Sequence, residues 1–146
     1  MKLVDSNIWL ALALSSHDHH DMAMAWFADR TSSDSALFCR ATQHSFLRLL
    51  TMRSLMNAYG LPPFSNRTAW LVYEDFRAKE RVAWAPEPRG LETHWKKTSS
   101  HARPSPKLWM DAYLAAFAIA SGYTFVTTDK AFRQFKGLDL VLLEIA

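Results

Sequence analysis

Five short apolar segments, separated by stretches with helical periodicity, constrain the fold of this chain more than any other feature. The segments are Lys2–Val4, Ala36–Cys39, Val82–Ala85, Thr124–Thr127 and Leu140–Leu143. Continuous apolar runs are typical of parallel strands that are buried on both faces. Strands that alternate with helices form a sheet covered by helices on both sides. The sequence therefore predicts an α/β fold, a three-layer α/β/α sandwich around a short, mainly parallel central sheet.

Helical periodicity fills the gaps between these segments, and capping residues, Gly and Pro set the helix ends. Ser65 is a favoured N-cap residue, and Gly122 stands just beyond a helix end. The predicted helices are one that follows Asp5 and ends near Leu14, His20–Arg30, Thr42–Met56, Asn66–Lys79, Gly90–Lys97, Lys107–Ser121 and Asp129–Phe135. Residues 98–106 are polar and contain Pro, so we expect a loop there. No repeat divides the chain, and residues 1–146 are predicted to form one domain.

Positive charge is concentrated between Lys79 and Lys107. This window holds seven of the 17 Lys and Arg residues but three of the 14 acidic residues, while the whole chain has a formal net charge of +3. A local positive surface favours a polyanion such as nucleic acid, because contacts with phosphates release counterions. An ordinary solvated surface is the alternative, and charge alone does not separate the two.

A single cysteine, Cys39, excludes an internal disulfide and a zinc site built from cysteines. Because it lies in an apolar segment, we expect a small buried side chain. The longest apolar stretch, residues 112–120, is about half of the ~20 residues that a membrane-spanning helix needs. The apolar run Ile8–Leu14 is short for a secretory signal. We therefore expect a cytoplasmic protein without a membrane partner.

Acidic residues lie at the ends of two predicted strands. Asp5 directly follows the first strand, and Asp129 lies just beyond the fourth. In an open α/β sheet, ligands bind beyond the carboxyl ends of the strands. These two carboxylates are therefore expected at one edge of the sheet. The alternative is that each aspartate only caps the helix after it, because Asp is a favoured N-cap residue.

Asp111 lies on the predicted helix Lys107–Ser121, on a face that is otherwise apolar. Its neighbours on that face are Leu108, Leu114, Ala115 and Ala118. An ionised carboxylate in such surroundings is strongly unfavourable unless it is paired or bound to a metal. Pairing with Lys107, four residues earlier, is one explanation. The interpretation that we favour is that the helix directs Asp111 toward the same edge as Asp5 and Asp129.

Three carboxylates at one edge of the sheet predict a metal site. Like charges raise one another's pKa values unless a cation lies between them. Oxygen ligands without cysteine favour Mg²⁺ or Mn²⁺. A hydrated divalent ion beside a basic segment is typical of phosphodiester hydrolysis. Asp5, Asp111 and Asp129 are therefore the predicted metal ligands and catalytic residues.

Four blocks of the sequence carry a family resemblance: Asp5–Leu10, Thr42–Leu50, Trp109–Ala116 and Thr127–Phe132. Their order and spacing resemble the PIN-domain family, and more narrowly the VapC toxins of bacterial toxin–antitoxin pairs. The resemblance covers nearly the whole chain. It implies a compact α/β/α sandwich, a Mg²⁺- or Mn²⁺-dependent endoribonuclease, a homodimer, and a cognate VapB-type antitoxin that blocks the site.

The resemblance also assigns roles to polar residues around the three aspartates. The aspartates match the family's acidic metal-binding positions, while Asn7 and either Thr127 or Thr128 match polar positions that support them. Gln43 stands where many PIN domains have a glutamate. Because an amide brings no charge, we expect one tightly held metal, with Gln43 orienting water or substrate. The alternatives are that Gln43 is an ordinary helix-start residue, and that the chain is a catalytically weak PIN domain that binds RNA or protein without cutting.

Basic side chains near the expected site are candidates for holding an RNA backbone. They are Lys130, which follows Asp129, and four residues of the basic segment, Lys96, Lys97, Arg103 and Lys107. Unpaired RNA bases also stack on aromatic side chains. The chain has six tryptophans, and we expect most of them in the core.

Overall fold

The structure, a computed structural model that describes residues 1–145, contains all five predicted strands. They are β1 (Lys2–Val4), β2 (Ala36–Phe38), β3 (Val82–Trp84), β4 (Thr124–Thr127) and β5 (Leu140–Leu142). Every strand pair is parallel, and the strands lie in the order β3-β2-β1-β4-β5. The predicted parallel sheet is therefore confirmed, and β1 lies at its centre.

Helices cover both faces of this sheet. They are α1 (Ser6–Ala13), α2 (His20–Ala28), α3 (Arg40–Leu50), α4 (Arg53–Ala58), α5 (Asn66–Arg77), α6 (Leu91–Ser99), α7 (Leu108–Ser121) and a 3₁₀ helix (Lys130–Gln134). The Ser65 side chain caps α5 by accepting a hydrogen bond from the Thr68 N–H. Gly122 ends α7 with a φ of 71°, a conformation that glycine adopts readily. Both end signals were predicted from the sequence.

Two hydrophobic cores fill the space between the sheet and the helices. Side chains of α1, α2, α3 and α5 form one core on the first face, against Val4 and Phe38. Side chains of α6, α7 and the 3₁₀ helix form the second core, against Leu3 and Leu37. Neighbouring strand residues thus point to opposite faces, as the two-residue repeat of a strand requires. The predicted three-layer α/β/α sandwich is confirmed.

The single helix predicted over Thr42–Met56 is wrong, because the structure breaks it into α3 and α4. At the break, the Thr51 hydroxyl donates to the carbonyl oxygens of Leu47 and Arg48. Such back-bonding competes with the helical ladder, and Met52 then takes an extended conformation. The apolar pattern of the sequence does not indicate this break, because Leu50 and Met56 lie on either side of it and are buried in the same core.

Cys39 is fully buried and free, as predicted, at the junction of β2 and α3. Its backbone N–H donates to the Thr42 hydroxyl over 3.0 Å, which fixes the start of α3. Among residues 1–145, no helix combines the length and apolarity that a membrane crossing demands.

Trp9 of α1 is the centre of the first core. Its fully buried ring stacks on Phe38 of β2 with ring centroids 3.8 Å apart, and it meets Phe27 and Phe76 edge to face. Within the described residues, the indole Nε1 has no hydrogen-bond partner. The packing of this ring therefore has to outweigh the cost of one buried, unpaired N–H group.

We predict that Trp9→Ala lowers the free energy of unfolding by about 3–5 kcal/mol, because it leaves a large cavity against β2. Trp70→Ala is the matched control, since Trp70 lies on α5 and is 47% exposed. It is expected to change stability by less than about 1 kcal/mol. Urea denaturation followed by circular dichroism measures both. Equal losses in the two variants would contradict the central role of Trp9.

Candidate active site

The carboxyl ends of β1 and β4 bring Asp5 and Thr127 together. The two strands pair with Val4 opposite Val126, and the Asp5 backbone N–H donates to the Val126 carbonyl over 2.9 Å. The Thr127 hydroxyl then donates to Oδ2 of Asp5 over 2.7 Å. The Asp5 side chain is only 7% exposed. Its position is therefore fixed by strand pairing and by a buried hydrogen bond.

Burial raises the pKa of the Asp5 carboxyl from 3.8 to about 6. Hydrogen bonds from Thr127 and from the Ser6 backbone oppose this effect, and the charges of Asp111 and Asp129 add to it. Loss of hydration disfavours the charged form of a buried acid, and nearby like charges do the same. Asp5 is thus a carboxylate whose ionised form lacks a counter-charge.

Asp111 reaches the same place from α7. It lies in the first turn of that helix and is half-buried, and its pKa is raised by burial and by the charge of Asp129. It forms no ion pair with Lys107, so the pairing alternative is not what the structure shows. The apolar face of α7 carries Asp111 to the edge of the sheet beyond β1 and β4.

Asp129 follows β4 and caps the 3₁₀ helix. Its Oδ1 accepts a hydrogen bond from the Ala131 N–H over 2.9 Å, and its own N–H donates to the Thr127 hydroxyl over 3.0 Å. The capping alternative is therefore correct for Asp129. Asp5 also stands at the N-cap position of α1, but its side chain makes no capping hydrogen bond there, and its buried partner is the Thr127 hydroxyl. Capping does not remove Asp129 from the site, because one carboxylate oxygen remains uncommitted.

The three aspartates line one cleft, which we call the acidic cleft, with a volume of about 170 Å³. Its other walls are Ser6, Asn7, Ala41, Thr42, Ser45, Met110 and Leu114. Asn7 thus lies where the resemblance expects a supporting polar residue, and of the two threonines it is Thr127 that contacts Asp5. Thr128 is half-buried beside it.

Gln43 lies outside the acidic cleft. Its side-chain oxygen accepts a hydrogen bond from Nη1 of Arg40 over 2.7 Å, and Arg40 in turn lies over the ring of Trp84. On a helix, Thr42 and Ser45 are three residues apart and share a face, whereas Gln43 points elsewhere. The predicted role of Gln43 in orienting water or substrate has no support in this geometry.

Ser45 is the residue of α3 that sequence reasoning missed. Its hydroxyl donates to the Ser6 hydroxyl over 3.0 Å, and the Ser6 hydroxyl lies 3.5 Å from Oδ1 of Asp5. This chain of hydroxyls holds Asp5 on the side opposite Thr127. The signal available in the sequence was the helical spacing of Thr42 and Ser45, which places both on the face that looks toward Asp5.

The donor set of the acidic cleft is suited to a hard divalent cation. It consists of carboxylate, hydroxyl and amide oxygens, which Mg²⁺ and Mn²⁺ prefer. Among residues 1–145, no three His, Cys, Asp or Glu side chains form a preassembled metal-binding group. Within residues 1–145, no side-chain hydrogen bond holds the half-buried Asp111 carboxylate away from a cation. The raised pKa of Asp5 describes a carboxyl group that gains from a positive charge beside it.

The predicted RNA-binding side chains lie outside the lining of the acidic cleft. Lys130 is exposed next to Asp129, and Lys107 lines a cavity of about 490 Å³ that also includes Asp111. Lys96 and Arg103 line a second, larger cavity between α6 and α7. Lys97 is exposed on α6. Of these side chains, Lys107 and Lys130 therefore lie nearest the aspartates along the surface and the chain, whereas Lys96 and Arg103 line a different cavity.

Comparison with known proteins agrees with this architecture. The family model for the PIN domain matches residues 2–138. Ribonuclease VapC41 of Mycobacterium tuberculosis is 51% identical over 144 residues, which are 98% of this chain and 99% of that protein. Ribonuclease VapC44 of the same organism is 30% identical over 88% of this chain and 86% of its own length. The chain therefore belongs to the PIN-domain family, as the sequence blocks indicated.

Solved structures show the same fold. The chain superposes on VapC20 of Mycobacterium tuberculosis, a toxin that cleaves the sarcin-ricin loop, with a TM-score of 0.67 and 18% identity over 95% of this chain and 98% of that one. It superposes on a chain of VapBC-1 from nontypeable Haemophilus influenzae with a TM-score of 0.67 and 15% identity over 97% of this chain and 96% of that one. At these identities the fold is what is shared.

We predict that Asp5→Asn stabilises the metal-free protein at neutral pH. Because the folded-state pKa of Asp5 lies above the unfolded value, the folded state binds more protons between about pH 4 and 6, and stability falls as pH rises through this window. A pKa raised from 3.8 to about 6 corresponds to roughly 3 kcal/mol, an upper limit for the gain at pH 8. The gain should vanish near pH 4.

Urea denaturation in EDTA at both pH values measures this difference. Asp21→Asn is the control, since Asp21 is exposed in the first turn of α2 and its neutralisation should leave the pH dependence unchanged. Equal stability of Asp5→Asn and the wild type at pH 8 would contradict the prediction, because burial of the Asp5 carboxylate would then cost no folding free energy.

Proposed function

We propose that this chain hydrolyses RNA phosphodiester bonds as a VapC-type ribonuclease toxin that depends on Mg²⁺ or Mn²⁺. The observation that carries the proposal is the convergence of Asp5, Asp111 and Asp129 on one cleft from three distant parts of the chain. The family and the full-length likeness to Ribonuclease VapC41 supply the reaction class. The basic segment supplies attraction for a polyanion.

The three aspartates would hold the metal ion, and Asp5 would be its most rigid ligand. When bound there, a divalent ion supplies Lewis-acid activation of water and positive charge opposite the phosphoryl oxygens. Asp5 needs no rearrangement, because Thr127 and the Ser6–Ser45 hydroxyl pair already fix it. Because these side chains are already in place, the site needs less rearrangement during the reaction.

The remaining residues of the site position the substrate. Lys107 shares a cavity with Asp111 and the exposed Lys130 follows Asp129, so both are suited to contacts with phosphates of the substrate. The carboxylates themselves repel RNA, so these cations offset the negative charge of the cleft. Asn7 is exposed at the rim and offers an amide for hydrogen bonds to the substrate.

The proposed partners are a VapB-type antitoxin and a second copy of this chain. Support comes from solved complexes that share the fold, including VapBC2 of Rickettsia felis and FitAcB of Neisseria gonorrhoeae, with TM-scores of 0.66 and 0.63. An antitoxin that covers the acidic cleft would block access of RNA to the three aspartates. A cytoplasmic location fits such a target.

Asp111→Asn is expected to lower Mn²⁺-dependent RNA cleavage by at least about a hundredfold, because it removes one charged ligand while the fold of α7 persists. Cleavage is followed on denaturing gels with total RNA, and Mn²⁺ binding is followed in parallel by calorimetry. Asp21→Asn is the control, since it removes an exposed carboxylate outside the acidic cleft. Full activity of the Asp111 variant would refute the proposal. Metal-independent RNA binding without cleavage by the wild type would favour the binding-module alternative.

Ser45→Ala is expected to lower kcat by about two- to tenfold with little effect on KM, because it removes one hydroxyl that steadies Asp5. His44→Ala is the matched control, as His44 is the exposed neighbour on α3. Steady-state cleavage of a short RNA by both variants provides the measurement. A change confined to KM would mean that Ser45 contacts the substrate instead.

A further inference from the structure

A cleft of about 920 Å³, which we call the tryptophan cleft, lies between α6, α7 and the loop that joins them. Its aromatic walls are Trp95 and Trp109, and its charged rim includes Lys96 and Arg103. Trp95 and Leu108 also pack against the second core, whereas Trp109 is exposed and does not belong to it. Its composition therefore points to a ligand.

Trp109 presents its ring to solvent at the mouth of this cleft. The residue is 57% exposed, although it lies on a helix whose other aromatic residues are packed. Trp95 supports it from below: the indole Nε1 of Trp95 donates to the Trp109 carbonyl over 3.1 Å, and the two rings meet edge to face at 6.2 Å. Trp95 also packs against Tyr113 at 5.3 Å. The exposed ring thus rests on a rigid aromatic base.

The charge around the tryptophan cleft is mainly positive. Lys96 and Arg103 line it together with His101, and Glu92 is the one acidic residue among its walls in the described chain. A planar aromatic surface between cations fits a ligand with a flat ring and attached phosphates. Unpaired nucleotides have this chemistry, and each stacked base contributes substantially to binding.

The tryptophan cleft continues into the cavity of about 490 Å³ whose walls include Asp111, a residue that also lines the acidic cleft. The turn that precedes α7 is shared, since His101, Ser105, Pro106 and Leu108 line both the tryptophan cleft and the cavity that reaches Asp111. On α7, Leu108 and Asp111 share a face, whereas Trp109 points away from Asp111. A base on Trp109 would therefore belong to a nucleotide beside the scissile phosphate and not to the reacting atoms.

We propose that the tryptophan cleft binds one unpaired base of single-stranded RNA next to the cleaved bond, with Trp109 as the stacking surface and Arg103 on an adjacent phosphate. This inference rests on the proposed function, because it concerns binding of the same RNA substrate. Trp109 is a substrate-binding residue in this scheme, since the stacked base holds its nucleotide in place beside the aspartates. A ligand that joins a flat ring to a phosphate uses both the exposed ring and the cations of this cleft.

The test measures RNA binding without cleavage. Fluorescence anisotropy in EDTA follows labelled single-stranded homo-oligoribonucleotides of each base, together with the matching abasic ribose-phosphate oligomer. Trp109→Ala is expected to weaken binding of the preferred base by roughly tenfold or more. It should leave binding of the abasic oligomer unchanged. Trp109→Phe keeps an aromatic face and should restore most of the affinity.

Trp70→Ala is the matched control, because Trp70 is similarly exposed but lies on α5, away from both clefts. The inference is overturned if Trp109→Ala binds every oligomer as the wild type does. It is also overturned if the variant loses self-association in sedimentation experiments while RNA binding is intact, because the cleft would then be a protein interface. If Trp109→Ala loses RNA binding and the wild type shows no metal-dependent cleavage, the proposed reaction is refuted. The RNA-binding site inferred here is then still supported.

Discussion

The hydrogen bond between Thr127 and Asp5 is the contact on which the candidate site depends. It joins residues 122 positions apart and forms only because β1 and β4 pair in parallel with one register. A slip of one residue would turn Asp5 to the opposite face of the sheet. The same pairing places Asp129, two residues after Thr127, at the same edge. The central strand therefore sets both the topology and the chemistry.

Placing a carboxylate at this position destabilises the metal-free fold. Asp5 is buried beside two other aspartates, and its raised pKa measures how poorly its charge is accommodated. The core around Trp9 and Phe38 lies directly below and stabilises α1, the helix that follows Asp5. Functional sites commonly reduce stability in this way, and the surrounding packing offsets the loss. A cation in the acidic cleft would remove the penalty, so metal binding and folding stability are coupled.

The sequence predicted the features that follow from the pattern of apolar and polar residues. It missed those that depend on the direction in which a side chain points from its helix. The strands were evident because buried parallel strands are uniformly apolar. Asp111 was evident because a carboxylate interrupts an apolar helix face. The role predicted for Gln43 came from the family resemblance, whereas in the structure Gln43 bonds to Arg40 and it is Ser45 that bonds to Ser6 beside Asp5. The break at Thr51 depends on one hydroxyl, which periodicity does not register.

The two faces of helix α7 separate the residues proposed for RNA cleavage from those proposed for RNA recognition. Asp111 faces the edge of the sheet, where strand pairing fixes the other aspartates, and Trp109 faces the loop between α6 and α7. The first face is constrained by the core, because Leu114, Ala115 and Ala118 on that face are buried. The second face contacts Trp95 of α6 and borders an exposed loop, and loops tolerate substitution and changes of length. Substitutions in this loop can therefore alter the surroundings of Trp109 while the geometry of the three aspartates stays the same.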